Sequence, residues 1–220
     1  MMSIKENLEK IKAELPESVA LVAVSKTKPV SDLMQAYNAG QRIFGENKIQ
    51  EMTQKWQSMP QDVKWHMIGH VQRNKVKYMV EYVSLIHGVD SLKLLVEIDK
   101  QAKKHNRVIN CLLQIHIAEE ETKFGFDEKE LFEMLHSSEF EQLKNIKVLG
   151  LMGMATFTQD KTQIRKEFKK LKRIFDALKA QLPDLHELSM GMSGDFKIAL
   201  EEGSTMIRIG SSIFGERNSH

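Results

Sequence analysis

The feature that most constrains this chain is a regular alternation of short apolar runs with longer stretches of helical periodicity. Eight runs read as strands: residues 19–24, 42–45, 63–68, 83–87, 108–117, 146–152, 187–190 and 206–209. They are short and rich in β-branched and other apolar residues, as strands buried on both faces must be. Between them lie amphipathic helices. Ile4, Leu8, Ile11 and Leu15 form an opening stripe that ends before Pro16. Pro29 and Ser31 start a helix that turns Leu33, Ala36 and Tyr37 inward, with Gly40 at a left-handed C-terminal cap. Glu46-Asn47 opens the next, through Ile49, Met52 and Trp56, and short or medium helices follow at 74–79 and 91–104 and from Asp127. The longest runs over 162–182, with Ile164, Phe168, Leu171, Phe175, Leu178 and Leu182 on its buried side. A helix at 193–201 ends at Gly203, and a last one starts at Ser211.

Strict alternation of this kind means parallel strands joined by right-handed crossovers. Eight units in roughly 200 residues predict a compact α/β fold, a (β/α)8 TIM barrel with one extra N-terminal helix. A doubly wound open sheet remains the alternative, because periodicity does not show closure. A chain of 220 residues buries one sizeable core. The expected organisation is a single domain, 1–220, with the helix at 1–15 and the barrel at 19–217; two small domains are the alternative.

The bulk numbers exclude several classes. A net charge of +2 gives no instruction toward nucleic acid or membrane. No apolar run approaches the ~20 residues of a membrane span, and residues 1–12 are charged and amphipathic, without the hydrophobic region of a signal peptide. The one cysteine, Cys111, excludes an intrachain disulfide and any cysteine-based zinc cage. The expectation is a cytoplasmic protein.

In a barrel of this type the carboxyl ends of the strands carry the chemistry, and the loops after the last two strands often bind phosphate. Here they read Ser189-Met190-Gly191-Met192-Ser193-Gly194-Asp195 and Arg208-Ile209-Gly210-Ser211-Ser212. Glycines allow close backbone approach, and helix starts favour anions, although Gly and Ser also begin helices for structural reasons alone. Lys26 follows the first strand, in Val22-Ala-Val-Ser-Lys-Thr-Lys28. On that stretch alone it is either a solvated strand end or an amine at a pocket mouth. Closure of the barrel brings strand one beside strand eight, hence Lys26 beside the proposed phosphate site. An amine there suits an aldehyde cofactor held as a Schiff base, pyridoxal 5'-phosphate (PLP). Arg208, ending strand eight, is placed either at the pyridine nitrogen, where a permanent cation disfavours ring protonation, or in a structural ion pair.

These residues, with Phe44-Gly45-Glu46-Asn47, Trp65-His66-Met67-Ile68-Gly69-His70, Gln72, Asn74-Lys75, Gly150-Leu151-Met152 and Ile213-Phe214-Gly215, match in order and spacing. Together they closely resemble the pyridoxal phosphate homeostasis protein family, of the YggS/PROSC type, over about residues 19–217. That family is a (β/α)8 barrel similar to the N-terminal domain of alanine racemase. The resemblance implies a PLP Schiff base on Lys26, phosphate held by Ser193, Gly194, Gly210 and Ser211, Arg208 at the pyridine nitrogen and Asn47 near the ring. Met67 stands where an aromatic is frequent, and Ser211 where threonine is frequent.

Other features carry less. His66 and His70 have i, i+4 spacing, but Gly69 and strand-like flanks argue against a metal pair. The basic run at 161–173 lies off the apolar stripe and reads as a solvated helix face. Lys28 and Lys123 are extra amines near strand ends that could take up PLP secondarily, with plain surface lysines the preferred reading. The thirteen methionines read as core filler.

Binding PLP does not make an enzyme. Racemisation needs a second acid/base across the cofactor, which in alanine racemase, the resemblance implies, is a tyrosine from a further β-domain of the partner subunit. This chain stops at His220, and Tyr37, Tyr78 and Tyr82 fall in or beside helices and a strand start. The leading expectation is therefore a non-catalytic, monomeric PLP carrier that affects vitamin B6 and amino-acid balance and hands cofactor to PLP-dependent apo-enzymes. A low-activity amino acid racemase is the second reading. A barrel for another phosphorylated metabolite, with no Schiff base, is the third.

Overall fold

The computed structural model describes residues 2–120 and 124–216. It opens with α1 (Ile4–Ala13), started by a capping box in which Ser3 and Glu6 satisfy each other's backbone N–H groups. The chain then alternates through β1 (Ala20–Val24), α2 (Val30–Asn38), β2 (Ile43–Glu46), α3 (Ile49–Ser58), β3 (Lys64–Met67), a 3-10 helix (Arg73–Tyr78) and β4 (Val83–Val89). It continues through α4 (Leu92–Lys104), β5 (Ile109–Gln114), α5 (Glu128–Leu135), α6 (Ser138–Glu141), β6 (Ile146–Met152), α7 (Lys161–Leu178), β7 (Glu187–Ser189), α8 (Phe196–Glu201), β8 (Met206–Ile209) and α9 (Ser211–Phe214). The strands form a closed barrel in sequence order, and every pairing is parallel. Closure runs through β1 and β8, with Ala20 to Ala23 opposite Met206 to Ile209. The open-sheet alternative is thereby removed.

Two apolar clusters follow from closure. The larger lies between strands and helices. The smaller, Val22, Leu85, Leu112, Met152 and Met206, gathers side chains from β1, β4, β5, β6 and β8, so it fills the barrel interior. Because strand side chains alternate, these five positions identify the inward series of the five strands that carry them.

Several boundaries differ from the sequence reading, for local reasons. Glu46 belongs to β2, opposite Met67, and α3 starts only at Ile49. α8 begins at Phe196, because Asp195 closes a turn on Met192, its N–H donating to the Met192 carbonyl and its carboxylate accepting from the Met192 N–H at 2.6 Å. α7 ends at Leu178, short of half-buried Leu182, as Pro183 disfavours helix in the residue before it. The short α6, capped by Ser137, was not anticipated.

Candidate cofactor site at the barrel mouth

The inward series changes character toward the carboxyl ends of the strands. Below lies the apolar plug; above it stand His66, His87, Gln114, Ser189 and Arg208, all buried. Four of them form one hydrogen-bonded chain. Arg208 Nη1 donates to Ser189 Oγ at 2.5 Å, Ser189 Oγ lies 2.9 Å from His87 Nδ1, and His87 Nε2 lies 2.9 Å from His66 Nδ1. The His87–Ser189 link joins the non-adjacent β4 and β7, so it crosses the barrel interior.

The chain has a direction. A guanidinium only donates, so Ser189 Oγ accepts from Arg208, and its own hydrogen needs an acceptor in a buried site. His87 Nδ1 is that acceptor, which leaves the His87 hydrogen on Nε2 to be donated to His66. Both imidazoles are neutral: burial, with Lys64 adding, depresses His66 to about 3, and burial, His66 and Arg208 hold His87 well below 6.5. Burial also lowers Arg208 to about 10, opposed by the Asp195 charge, and the group stays cationic at neutral pH. Its second contact is Nη2 to the Gly153 carbonyl at 3.2 Å. Among the described residues no carboxylate forms an ion pair with Arg208.

Lys26 lies two residues beyond Val24, on a half-buried turn. Ser25 before it is buried, its hydroxyl donating to Glu46 Oε1 at 2.6 Å, and strand alternation carried past Val24 puts Lys26 in step with Ala20, Val22 and Val24. The β1–β8 register puts Gly210 and Ser211 beside that turn, and a Cβ built on Gly210 would lie 3.3 Å from Val24. The loop after β7 arrives next to it. Gly191 has φ +103, and a side chain there would strike Ala199 at 2.7 Å. At Gly194 the opposite holds: a Cβ would meet nothing within 4 Å. Ser193 and Ser211 carry hydroxyls, and with the backbone N–H groups of these two turns they are the donor types a phosphate needs. Asn47 follows β2 and is half-buried; Gly69 packs on its backbone so closely that a Cβ would fall 2.5 Å from the Asn47 carbonyl oxygen.

The residues singled out in the sequence therefore converge at one end of the barrel. What sequence reasoning missed was the histidine and serine relay behind Arg208. Its signal was available in the two-residue spacing from Leu85 to His87 and from Met206 to Arg208, a polar group placed one step above an apolar one on the same face. His66 and His70 do not share a partner: His66 joins the relay, while His70 meets Asp90 at 3.1 Å and stacks on Phe124. Lys28 is engaged, donating to the carbonyls of Phe214 and Glu216 at 2.9 and 3.0 Å. Lys123 lies outside the described residues. The basic run of α7 is partly answered by acids, Arg165 by Glu201 and Glu202 and Arg173 by Glu128.

Comparison with known proteins agrees with this fold. A family model described as alanine racemase, N-terminal domain, matches residues 1–218. The pyridoxal phosphate homeostasis protein of Vibrio alginolyticus is 38% identical over 233 residues, covering 99% of each chain. The protein of the same name from Synechocystis is 42% identical over 208 residues, 93% of this chain and 94% of the other. Among solved structures, PipY of Synechococcus elongatus without PLP superposes with a TM-score of 0.91 at 37% identity, over 97% of this chain and 100% of that one. The same protein with PLP bound gives 0.88 at 36%, with the same coverage. The chain therefore belongs to the alanine racemase N-terminal domain family and, within it, to the pyridoxal phosphate homeostasis proteins.

Proposed function

We propose that this protein binds PLP through Lys26 as a carrier in vitamin B6 homeostasis and is not itself a catalyst. The observation that carries the reading is the meeting of three features at one barrel mouth. These are Lys26 on the half-buried turn after β1, the Gly and Ser turns at Ser193, Gly194, Gly210 and Ser211 after β7 and β8, and a buried arginine with no ion-pair partner among the described residues. Bound PLP supplies an aldehyde that forms a Schiff base with a primary amine. Lys26 would provide the amine, Ser193, Gly194, Gly210 and Ser211 would donate to the phosphate, and Asn47 would lie near the ring. Arg208, held by Ser189 and Gly153, would meet the pyridine nitrogen, where a cation would oppose protonation and weaken the ring as an electron sink. Support comes also from a relative at 36% identity whose structure contains PLP.

The non-catalytic part rests on where the candidate second acid/base groups are. Tyr37 OH donates to Asp62, Tyr82 OH pairs with Thr53 and is pushed up to about 12 by burial, and Tyr78 is half-exposed beside Lys77. We take the chain as one domain, 1–220, since one barrel and one outer core account for the described strands and helices. A monomer in the cytoplasm, handing cofactor to apo-enzymes, completes the proposal; no helix of the described residues is long and apolar enough to cross a membrane.

The test is the visible spectrum of wild type and Lys26→Ala before and after borohydride, with intact mass. A yellow wild type that borohydride fixes as one pyridoxyl phosphate on Lys26, beside a colourless mutant, is expected. A wild type that stays colourless with added PLP would overturn the reading. Racemisation of amino acids by wild type, lost in Lys26→Ala, would replace the carrier by an enzyme.

A further inference from the structure

The turn that carries Lys26 is gripped on both sides of that residue by a cluster the cofactor reading leaves unused. Ser25 is fully buried. Its N–H donates to the Gly45 carbonyl at 3.0 Å, its hydroxyl donates to Glu46 Oε1 at 2.6 Å, and its carbonyl accepts from Lys55 Nζ at 2.7 Å. On the other side of Lys26, Thr27 has φ +64, a left-handed conformation that a β-branched residue avoids. Its N–H donates to Glu51 Oε1 at 2.6 Å. Lys55 Nζ closes the cluster by reaching Glu46 Oε1 and Glu51 Oε1 at 2.6 and 2.7 Å. One ammonium and two carboxylates thus tie the residues before and after Lys26 to β2 and α3.

Stability alone is a poor explanation for such a cluster. Buried ion pairs can be replaced by well-packed apolar groups at little or no cost, because desolvation offsets their attraction. This one is not even fully satisfied: Glu46 Oε2 is buried with no hydrogen-bond partner, and burial pushes the Glu46 carboxyl up against the opposing pull of Lys55. What charged hydrogen bonds do supply is direction. Backbone strain held by over-determined contacts, next to a reactive group, marks a position that has to be fixed. The remaining side of the turn is fixed too, since Lys28 ties it to the end of α9.

We infer that Glu46, Lys55 and Glu51 are positioning residues for Lys26, holding its turn so that the amine enters the barrel mouth beside Gly210 and Ser211 and captures PLP quickly and tightly. This inference rests on the PLP reading above. None of the three touches the cofactor; they act through the backbone of Ser25 and Thr27.

The experiment follows the rate of PLP capture by apoprotein, read by visible absorbance and by borohydride fixation mapped to Lys26, together with the urea midpoint of each apoprotein. Glu51→Ala removes the acceptor of the Thr27 N–H at a half-buried position, and Ser25→Ala removes the hydroxyl link to Glu46. Both are expected to slow capture at Lys26 by about tenfold or more, the penalty of a misplaced reacting group. Leu131→Ala, a core truncation in α5, is the control: it lowers the urea midpoint and leaves capture unchanged. Capture at the wild-type rate in both Glu51→Ala and Ser25→Ala would overturn the positioning role, as would a slowing of Leu131→Ala equal to theirs. Wild type that fixes no PLP on Lys26 would overturn the PLP reading itself, and this inference with it. The two failures are therefore distinguishable.

Discussion

On the helix side of β2, one buried cation, Lys55, answers two carboxylates, Glu46 and Glu51, at 2.6 and 2.7 Å. Across β1, in the barrel interior, Arg208 is equally buried, yet its contacts are a serine hydroxyl and a carbonyl oxygen. The two clusters contain similar groups and do different things. A cation already matched by acids has no charge to offer a ligand, and its hydrogen bonds go to backbone that must be held still. A cation whose hydrogen bonds go to neutral groups is oriented without an ion pair, with Asp195 as the negative charge that acts on it from nearby. The relay behind it adds to this, because neutral histidines pass hydrogen bonds outward from the arginine without bringing in a counter-charge.

The distinction can be broken most sharply at Lys55. Lys55→Met strands Glu46 in the interior and is expected to cost about 3–5 kcal/mol in urea unfolding of the apoprotein. Arg208→Met removes a charge that forms no ion pair among the described residues and is expected to cost clearly less. If Arg208→Met costs as much as Lys55→Met, the two sites do not differ in the way described.

A second effect belongs to the relay. Burial depresses the folded-state pKa values of His66 and His87 below the ordinary 6.5, so folding favours their neutral forms. Their contribution to stability is whole above pH 6.5 and is lost as pH falls from there toward about 3 for His66. For His66 the slope is about 1.4 kcal/mol per pH unit, or about 2 kcal/mol by pH 5, and His87 adds in the same direction. His66→Gln should remove its share of that loss in urea titrations at pH 7.5 and 5. An unchanged loss would show that the pH dependence arises elsewhere.

The smallest of these effects is expected for Ser189→Ala, which unlinks Arg208 from His87. A charged hydrogen bond lost with little change of volume is worth about 1.5 kcal/mol in urea unfolding. The same substitution should also alter the visible spectrum of bound cofactor, since Arg208 is then held by Gly153 alone. A spectrum identical to wild type would confine the serine to a structural role.

Much of this was legible without coordinates. Apolar runs of 4–10 residues alternating with 3.6-residue stripes carry the element order, because the side-chain period of each element is a local property. Ser3, Ser91, Asp127 and Asp160 cap the helices that follow them, and a cap is likewise a local event. The Gly and Ser loops after the last two strands and the lysine after the first were visible for the same reason. Glu46 shows where local reasoning stops. Its type suited a helix start, yet its backbone pairs in β2 and its carboxylate meets Lys55, nine residues on.

The sequence by itself thus determined which residues stand at strand ends, since that depends only on the order of periods along the chain. Tertiary structure decided which of them meet. Barrel closure brought Ala23 opposite Ile209, so that Lys26 came beside Gly210. It also brought Ser189 within 2.9 Å of His87, 102 positions away in the chain. No local signal encodes such a pairing, because it follows from the register of eight strands at once, and a shift of one residue in any of them would turn an inward group outward.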